Sequence, residues 1–150
     1  MLNKTIYVIL LLLPSVIFAN WQLSTQKKHE LFIIDSNSNR FSLVLDNDEL
    51  NFVISLFKIP LRSEKSHAHI IVDSSKPIIA KLQSIGQSKG SHQFRLLMDK
   101  KLKAKLMKQM MAGVKLDLTI KERNKNRVFL NYSLLGYTAN INDFFIAREI

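Results

Sequence analysis

His67 and His69, at alternate positions, are the residues whose spacing comes nearest to a metal site in this chain. On a strand they share a face and can both reach one ion, with His29 or His92 to complete the set. The chain contains no cysteine, and neither a carboxylate at ligand spacing nor a His-Glu-x-x-His run accompanies the pair. Solvent-facing histidines are therefore expected, and no metal or other cofactor is assigned. Ser66-His67 and Ser91-His92 join a nucleophile to a base in sequence only, because adjacent strand residues face opposite ways. Asp46 to Glu49 has the acidity of a calcium loop but lacks its glycine and its distant bidentate glutamate, and reads as a turn. Neither a glycine-rich phosphate loop nor a nucleophile elbow is present. Catalysis needs a nucleophile with its base, a carboxylate pair in apolar surroundings or a metal cluster. None is found, so no catalytic residue is assigned and a non-enzymatic protein is expected.

What the chain does offer is positive charge. Its 150 residues carry a formal net charge of +10, and cations gather in one stretch. Lys100, Lys101, Lys105 and Lys108 precede Lys115, Lys121, Arg123, Lys125 and Arg127. Such a surface attracts anionic partners without needing a particular residue arrangement. Phospholipid head groups, lipopolysaccharide and glycosaminoglycans are the candidates. The alternative is a lysine face that serves solubility alone.

The elements that must position these charges follow from the hydrophobic period. Asp99 can cap a helix in which Leu102, Leu106 and Met110 recur at four-residue spacing. Met107 and Met111 widen that apolar stripe, and Lys101, Lys105 and Lys108 occupy the opposite arc. Gly113 is expected to end the helix in a left-handed turn. Val114, Leu116, Leu118 and Ile120 then alternate with polar residues, as do Val128, Leu130, Tyr132 and Leu134 after a polar connection at 122–126, which predicts a hairpin. Upstream, alternation predicts strands from Trp21, over 30–34, at Phe41 to Leu45, over Leu50 to Lys58, at His67 to Val72, over Ile78 to Leu82 and at His92 to Leu96. A turn rich in Ser, Asn and Asp falls at 35–39, and a flexible connection is expected at 86–90. The 50–58 run is apolar on both faces and should lie inside a sheet. Short strands with one late helix favour an antiparallel β-sandwich that carries an amphipathic helix before its C-terminal hairpin and a short C-terminal helix over 140–146.

The first residues read differently. Lys4, the apolar run from Ile6 to Leu13, Pro14 and the small Ala19 make residues 1–19 a secretory signal peptide, leaving 20–150 as a single β-sandwich domain. The apolar run is short for a membrane span, and no later stretch in the mature chain is long enough for one. Loss of Lys4 with the signal takes the net charge from +10 to +9. Export to the periplasm is expected, with the outer surface or extracellular space as further destinations, and genomic DNA is not an expected partner. A buried Trp21, just after the cleavage point, would pin the new terminus.

Past the hairpin, the succession of a helix, MAGVKLDLTI, a polar turn and VFLNYSLLGYTANINDFF resembles the invasion-associated locus B family of secreted bacterial proteins. Ser133, Leu134, Gly136, Tyr137 and Ala139 match a Ser-Leu-x-Gly-Phe-like element of that family, and the signal peptide followed by a tryptophan fits its layout. The chain departs from the pattern in having no cysteines and in carrying Tyr137 where phenylalanine is common. The resemblance implies an exported β-sandwich that engages a protein partner in host-cell invasion, with no active-site residues to carry over. Gly136 has a structural reading of its own, since a glycine between strand and helix permits a tight reversal.

Overall fold

The strands of this protein share one continuous apolar face. Phe41 lies opposite Ile54 and Leu43 opposite Phe52, Ile54 opposite Phe94, Leu82 opposite Leu96 and Ala68 opposite both Ala80 and Ile120. A period of two keeps all of them on the same face of a pleated sheet. The computed structural model describes residues 20–25 and 28–146; the predicted signal peptide lies outside them. The strands are β1 (Gln22–Ser24), β2 (His29–Ile34), β3 (Arg40–Asp46), β4 (Glu49–Phe57), β5 (Ser66–Val72), β6 (Ile78–Ser88), β7 (Ser91–Leu97), β8 (Lys115–Glu122) and β9 (Lys125–Ser133). Helix α1 (Lys100–Ala112) separates β7 from β8, and α2 (Tyr137–Ile146) follows β9.

All nine strands belong to one antiparallel sheet in the order β1-β2-β3-β4-β7-β6-β5-β8-β9. The chain is thus mainly β, with the helix before the last hairpin and the short C-terminal helix in their expected places. The expected pair of facing sheets is not what forms. Pairing of β4 with β7 from Val53–Arg95 to Phe57–Ser91 joins the two halves edge to edge, and the sheet curls into a half-barrel. Twist accumulated over many strands brings distant ones together. Phe41 on β3 and Tyr132 on β9 lie six places apart in strand order, yet their rings are 6.1 Å apart. Tyr132 Oη donates to the Asn39 carbonyl at 3.2 Å, and Trp21 Nε1 donates to the Ser133 carbonyl at 3.0 Å. The two helices, instead of a second sheet, fill the concave side: Leu106, Met110, Tyr137, Ile141 and Phe144 are all buried in the core.

The turns are tighter than the sequence suggested. Asn47-Asp48 and Arg123-Asn124 adopt positive φ throughout (49° and 66°, 50° and 66°), the backbone of two-residue hairpins whose twist matches the strands. The segment at 86–90, expected as a flexible connection, is mostly strand. Gly86 sits at a register shift within β6, and Lys89-Gly90 alone turn the chain, at φ 48° and 82°. In the 35–39 turn Asp35 Oδ1 accepts from the Asn37 and Asn39 amides at 2.9 and 3.0 Å. The 50–58 run is β4, lying between β3 and β7 and buried from Asn51 to Leu56.

Gly113 corrects a second expectation. Its φ is −94°, so no left-handed turn ends α1. A Cβ there would overlap Val72 Cγ1 and come within 2.9 Å of the Gln109 carbonyl oxygen. Glycine is required by crowding where α1, β5 and the end of β9 converge. Met111, expected on the apolar stripe, is 46% exposed; the stripe consists of buried Leu106 and Met110 with Leu102 and Met107 packed partly buried beside them.

Burial raises the Tyr132 hydroxyl pKa far above its ordinary 10, with a smaller contribution from Asp35, and burial alone does the same to Tyr137. A hydroxyl whose folded pKa is raised stabilises the fold below the unfolded value of about 10, and that stabilisation is lost as pH climbs toward the folded value. Stability from urea titrations should therefore fall steeply above about pH 10, and Tyr137→Phe should flatten the decline. An unchanged decline in that variant would show that another group is responsible.

Candidate cationic surfaces

The cations singled out in the sequence fall into two groups in space. Lys100, Lys101, Lys105 and Lys108 are exposed on α1. Asp99 fixes their helix: its carboxylate accepts from the Leu102 amide at 2.8 Å, a standard N-terminal cap. None of the four forms an ion pair among the described residues. Lys103 behaves differently. It turns inward, is 12% exposed, and reaches Glu49 Oε1 at 3.4 Å and Asn51 Oδ1 at 3.2 Å. The helix pairs the lysine that faces the body and leaves its outward lysines without an ion pair among the described residues. Lys115, at the start of β8, is paired with Asp117 at 3.3 Å and adds little to this surface.

The remaining candidates, Lys121, Arg123, Lys125 and Arg127, sit around the β8–β9 turn. They do not extend the α1 face, because β8 is an extended strand of 8 residues rising about 3.3 Å per residue. Other cations join them. Arg62 precedes and Lys65 ends a 3-10 turn (Ser63–Lys65) tied to this end through Arg62 N–H to Glu122 Oε2 at 3.0 Å and Arg123 N–H to the Lys65 carbonyl at 3.1 Å. Lys81 pairs across from His67. Sequence reasoning passed over Arg62, Lys65 and Lys81 because non-local strand pairing brings them in. Phe129, 71% exposed on the outer face, was in principle legible: alternation with Val128 and Leu130 puts it outward.

The histidines do not converge. His29 stacks on Phe144 at 4.6 Å and hydrogen-bonds its carbonyl, His92 hydrogen-bonds Ser84 Oγ, and His67 and His69 lie on the outer face of β5. No group of three or more His, Cys, Asp or Glu is placed to hold a metal among the described residues. Burial, then Lys121, then His67 lower the His69 pKa. Ser66 turns away from His67 and donates to the Arg62 carbonyl at 2.6 Å. The Ser84–His92 contact is a nucleophile–base pair that the sequence did not show, but no carboxylate orients the His92 ring among the described residues. A groove of about 690 Å³ lies between α1 and the β3–β4 hairpin and mixes Lys100 and Lys103 with Asp48 and Glu49, so it has no single electrostatic preference.

The structural positions are Trp21, 4% exposed and edge-on to Tyr137 at 5.0 Å; Gly113, in the crowded junction; and Gly136, at φ +82° between β9 and α2. Tyr137, the first residue of α2, is fully buried.

Comparison with known protein families, characterised proteins and solved structures finds no match to this chain. No helix among the described residues is long and apolar enough to cross a membrane.

Proposed function

We propose that this protein is an exported, non-catalytic interaction module that binds an anionic polymer or membrane surface through the lysine face of α1. One observation carries the reading: Lys103 is paired with Glu49 while Lys100, Lys101, Lys105 and Lys108 stand outward without ion pairs among the described residues. Lysines held on one rigid helix face add their attraction to a surface of fixed anions, and each contact releases counterions. Lipid head groups, lipopolysaccharide and glycosaminoglycans all meet that description. Periplasmic or surface location belongs to the same reading, as does the resemblance to the invasion-associated locus B family.

The test is retention of the purified protein on heparin, an anionic polymer without an apolar layer, across a salt gradient. With three to four lysines engaged, affinity should drop roughly 40- to 150-fold between about 50 and 200 mM salt. Combined Lys101→Glu, Lys105→Glu and Lys108→Glu should abolish retention at all salt concentrations and leave the circular dichroism spectrum unchanged. Retention that survives the triple variant would overturn the assignment to α1.

A protein partner is the second reading, favoured by the position of β9. It is the last strand of the sheet, so its outer edge is available for a further strand. Binding of that kind rests on backbone pairing and apolar contact and should change little with salt.

A further inference from the structure

The outer face of the half-barrel, on the side away from α1, carries two adjacent rows of side chains that the α1 reading does not use. One row runs Ile79, His69, Thr119, Phe129 across β6, β5, β8 and β9. The other runs Leu97, Lys81, His67, Lys121 across β7, β6, β5 and β8, and a register shift after Ile120 brings Asn126 and Arg127 to its end. Phe129 is 71% exposed, Ile79 55% and Leu97 46%. Neither row contains a carboxylate.

Both rows are unfavourable in water. Lys81 and Lys121 lie directly opposite His67 on either side, so two cations share one row with no carboxylate in it. The exposed Phe, Ile and Leu present apolar surface that no described residue covers. A soluble polyanion would satisfy the cations and leave the apolar row wet. An apolar protein surface would do the reverse and desolvate the lysines. The interface of an anionic bilayer satisfies both at once, since it holds acyl chains beneath a layer of negative head groups.

We propose that this outer face docks on an anionic phospholipid bilayer, with Phe129 and Ile79 entering the head-group layer and Lys81, Lys121 and Arg127 contacting lipid phosphates. The inference is independent of α1, which lies on the opposite side of the sheet. It also carries a pH dependence. His67 and His69 stand inside the contact, facing Lys81 from β6 and Lys121 and Asp117 from β8, with Phe129 and Arg127 beyond on β9. Glu64 and Lys65 come from the 3-10 turn, Glu64 lining one groove with His67 and Lys81. Asp117 is engaged by Lys115 and Glu122 by the Arg62 amide. Burial, Lys121 and His67 lower the His69 pKa; lipid phosphates beside it would oppose that shift and favour its charged form, so acidification adds positive charge where the bilayer sits.

The experiment is co-sedimentation of the purified protein with vesicles of phosphatidylcholine, with and without phosphatidylglycerol, at about pH 7.5 and about pH 5.5. Wild type and variants carry the same termini, so any contribution from them cancels. Binding should require phosphatidylglycerol and strengthen at the lower pH, and His69→Gln should remove that strengthening. Phe129→Ser, at a site facing away from the core, should weaken binding about 10-fold. Lys81→Gln with Lys121→Gln should weaken it about 25-fold, at roughly 5-fold per lysine. Phe129→Trp should give a blue-shifted emission on adding phosphatidylglycerol vesicles, above the constant background of buried Trp21. Full binding by Phe129→Ser, no spectral shift in Phe129→Trp, or loss of vesicle binding in the α1 triple variant alone would each overturn the proposal. Loss in the outer-face variants with heparin retention intact would support it separately from the α1 reading.

Discussion

Replacing Tyr137 by alanine should lower the free energy of unfolding by about 3–5 kcal/mol, the range for removing a buried aromatic ring. The ring is fully buried. It meets Trp21 edge-on at 5.0 Å, and its hydroxyl donates to Met107 Sδ at 3.2 Å. These contacts join α2 to the chain ahead of β1 and to α1, so the cavity would open at the place where the curled sheet comes closest to closing. Trp21 would be doubly affected, because its indole also holds the Ser133 carbonyl. Tyr137→Phe keeps the ring and loses one weak hydrogen bond to sulfur, for a cost of about 1 kcal/mol or less. Urea unfolding of the two variants separates the effects. A loss in Tyr137→Ala no larger than in Tyr137→Phe would mean that the ring is not a structural anchor.

Gly113→Val should be comparably damaging, and for a different reason. At φ −94° any residue is conformationally acceptable, so there is no backbone strain to relieve. The obstacle is space: an added Cβ overlaps Val72 Cγ1, approaches the Gln109 carbonyl oxygen at 2.9 Å and lies 3.1 Å from Leu134 Cδ1. Overpacking of this kind costs about 1–3 kcal/mol for small additions, and Gly113→Ala should fall in that range with Gly113→Val beyond it. The same junction holds the start of β8, where Asp73 Oδ1 accepts from the Val114 and Lys115 amides at 3.2 and 3.1 Å. Displacement there would tilt α1 and its lysine face. Gly136→Ala is the natural control, since Gly136 has φ +82° and an added Cβ would meet nothing closer than 3.8 Å; its penalty is conformational, about 1–2 kcal/mol. Trimming Val72 to alanine should partly rescue Gly113→Ala and not Gly136→Ala. Equal response of both glycine variants to that trim would refute the packing explanation.

These two glycines show where sequence reasoning succeeded and where it failed. Gly136, between an alternating strand and an apolar cluster, was legible as a reversal because both neighbours declared their periods. Gly113 follows a helix in the same way, and the left-handed cap was the reasonable local inference. Its true cause lies in Val72 and Leu134, which are distant in sequence and enter only through folding. The β8–β9 turn gave a similar lesson. Its polarity marked a connection, but strand pairing runs on to Glu122 and Lys125 because Arg123 and Asn124 accept positive φ.

The candidate surface divides along the same line. Lys100, Lys101, Lys105 and Lys108 were legible as one face because a helix turns sequence spacing into angular position. That Lys103 turns inward to Glu49 depends on the β3–β4 hairpin, more than 50 residues away in the chain. Lys81, His67 and Lys121 become neighbours only because β6, β5 and β8 pair in that order.

Sequence alone determined that the chain is mainly β, where α1 and most of the strands fall, which residues of the C-terminal hairpin face the core, and that one helix carries a lysine arc. All of these follow from periods of two and of 3.6 read over a few residues. Tertiary structure decided that the strands form one curled sheet instead of two facing ones, that the cations divide into an α1 surface and an outer-face surface, and that Gly113 answers to crowding. Each depends on which distant strands pair, and local periodicity is the same for a strand in a sandwich as for one in a half-barrel.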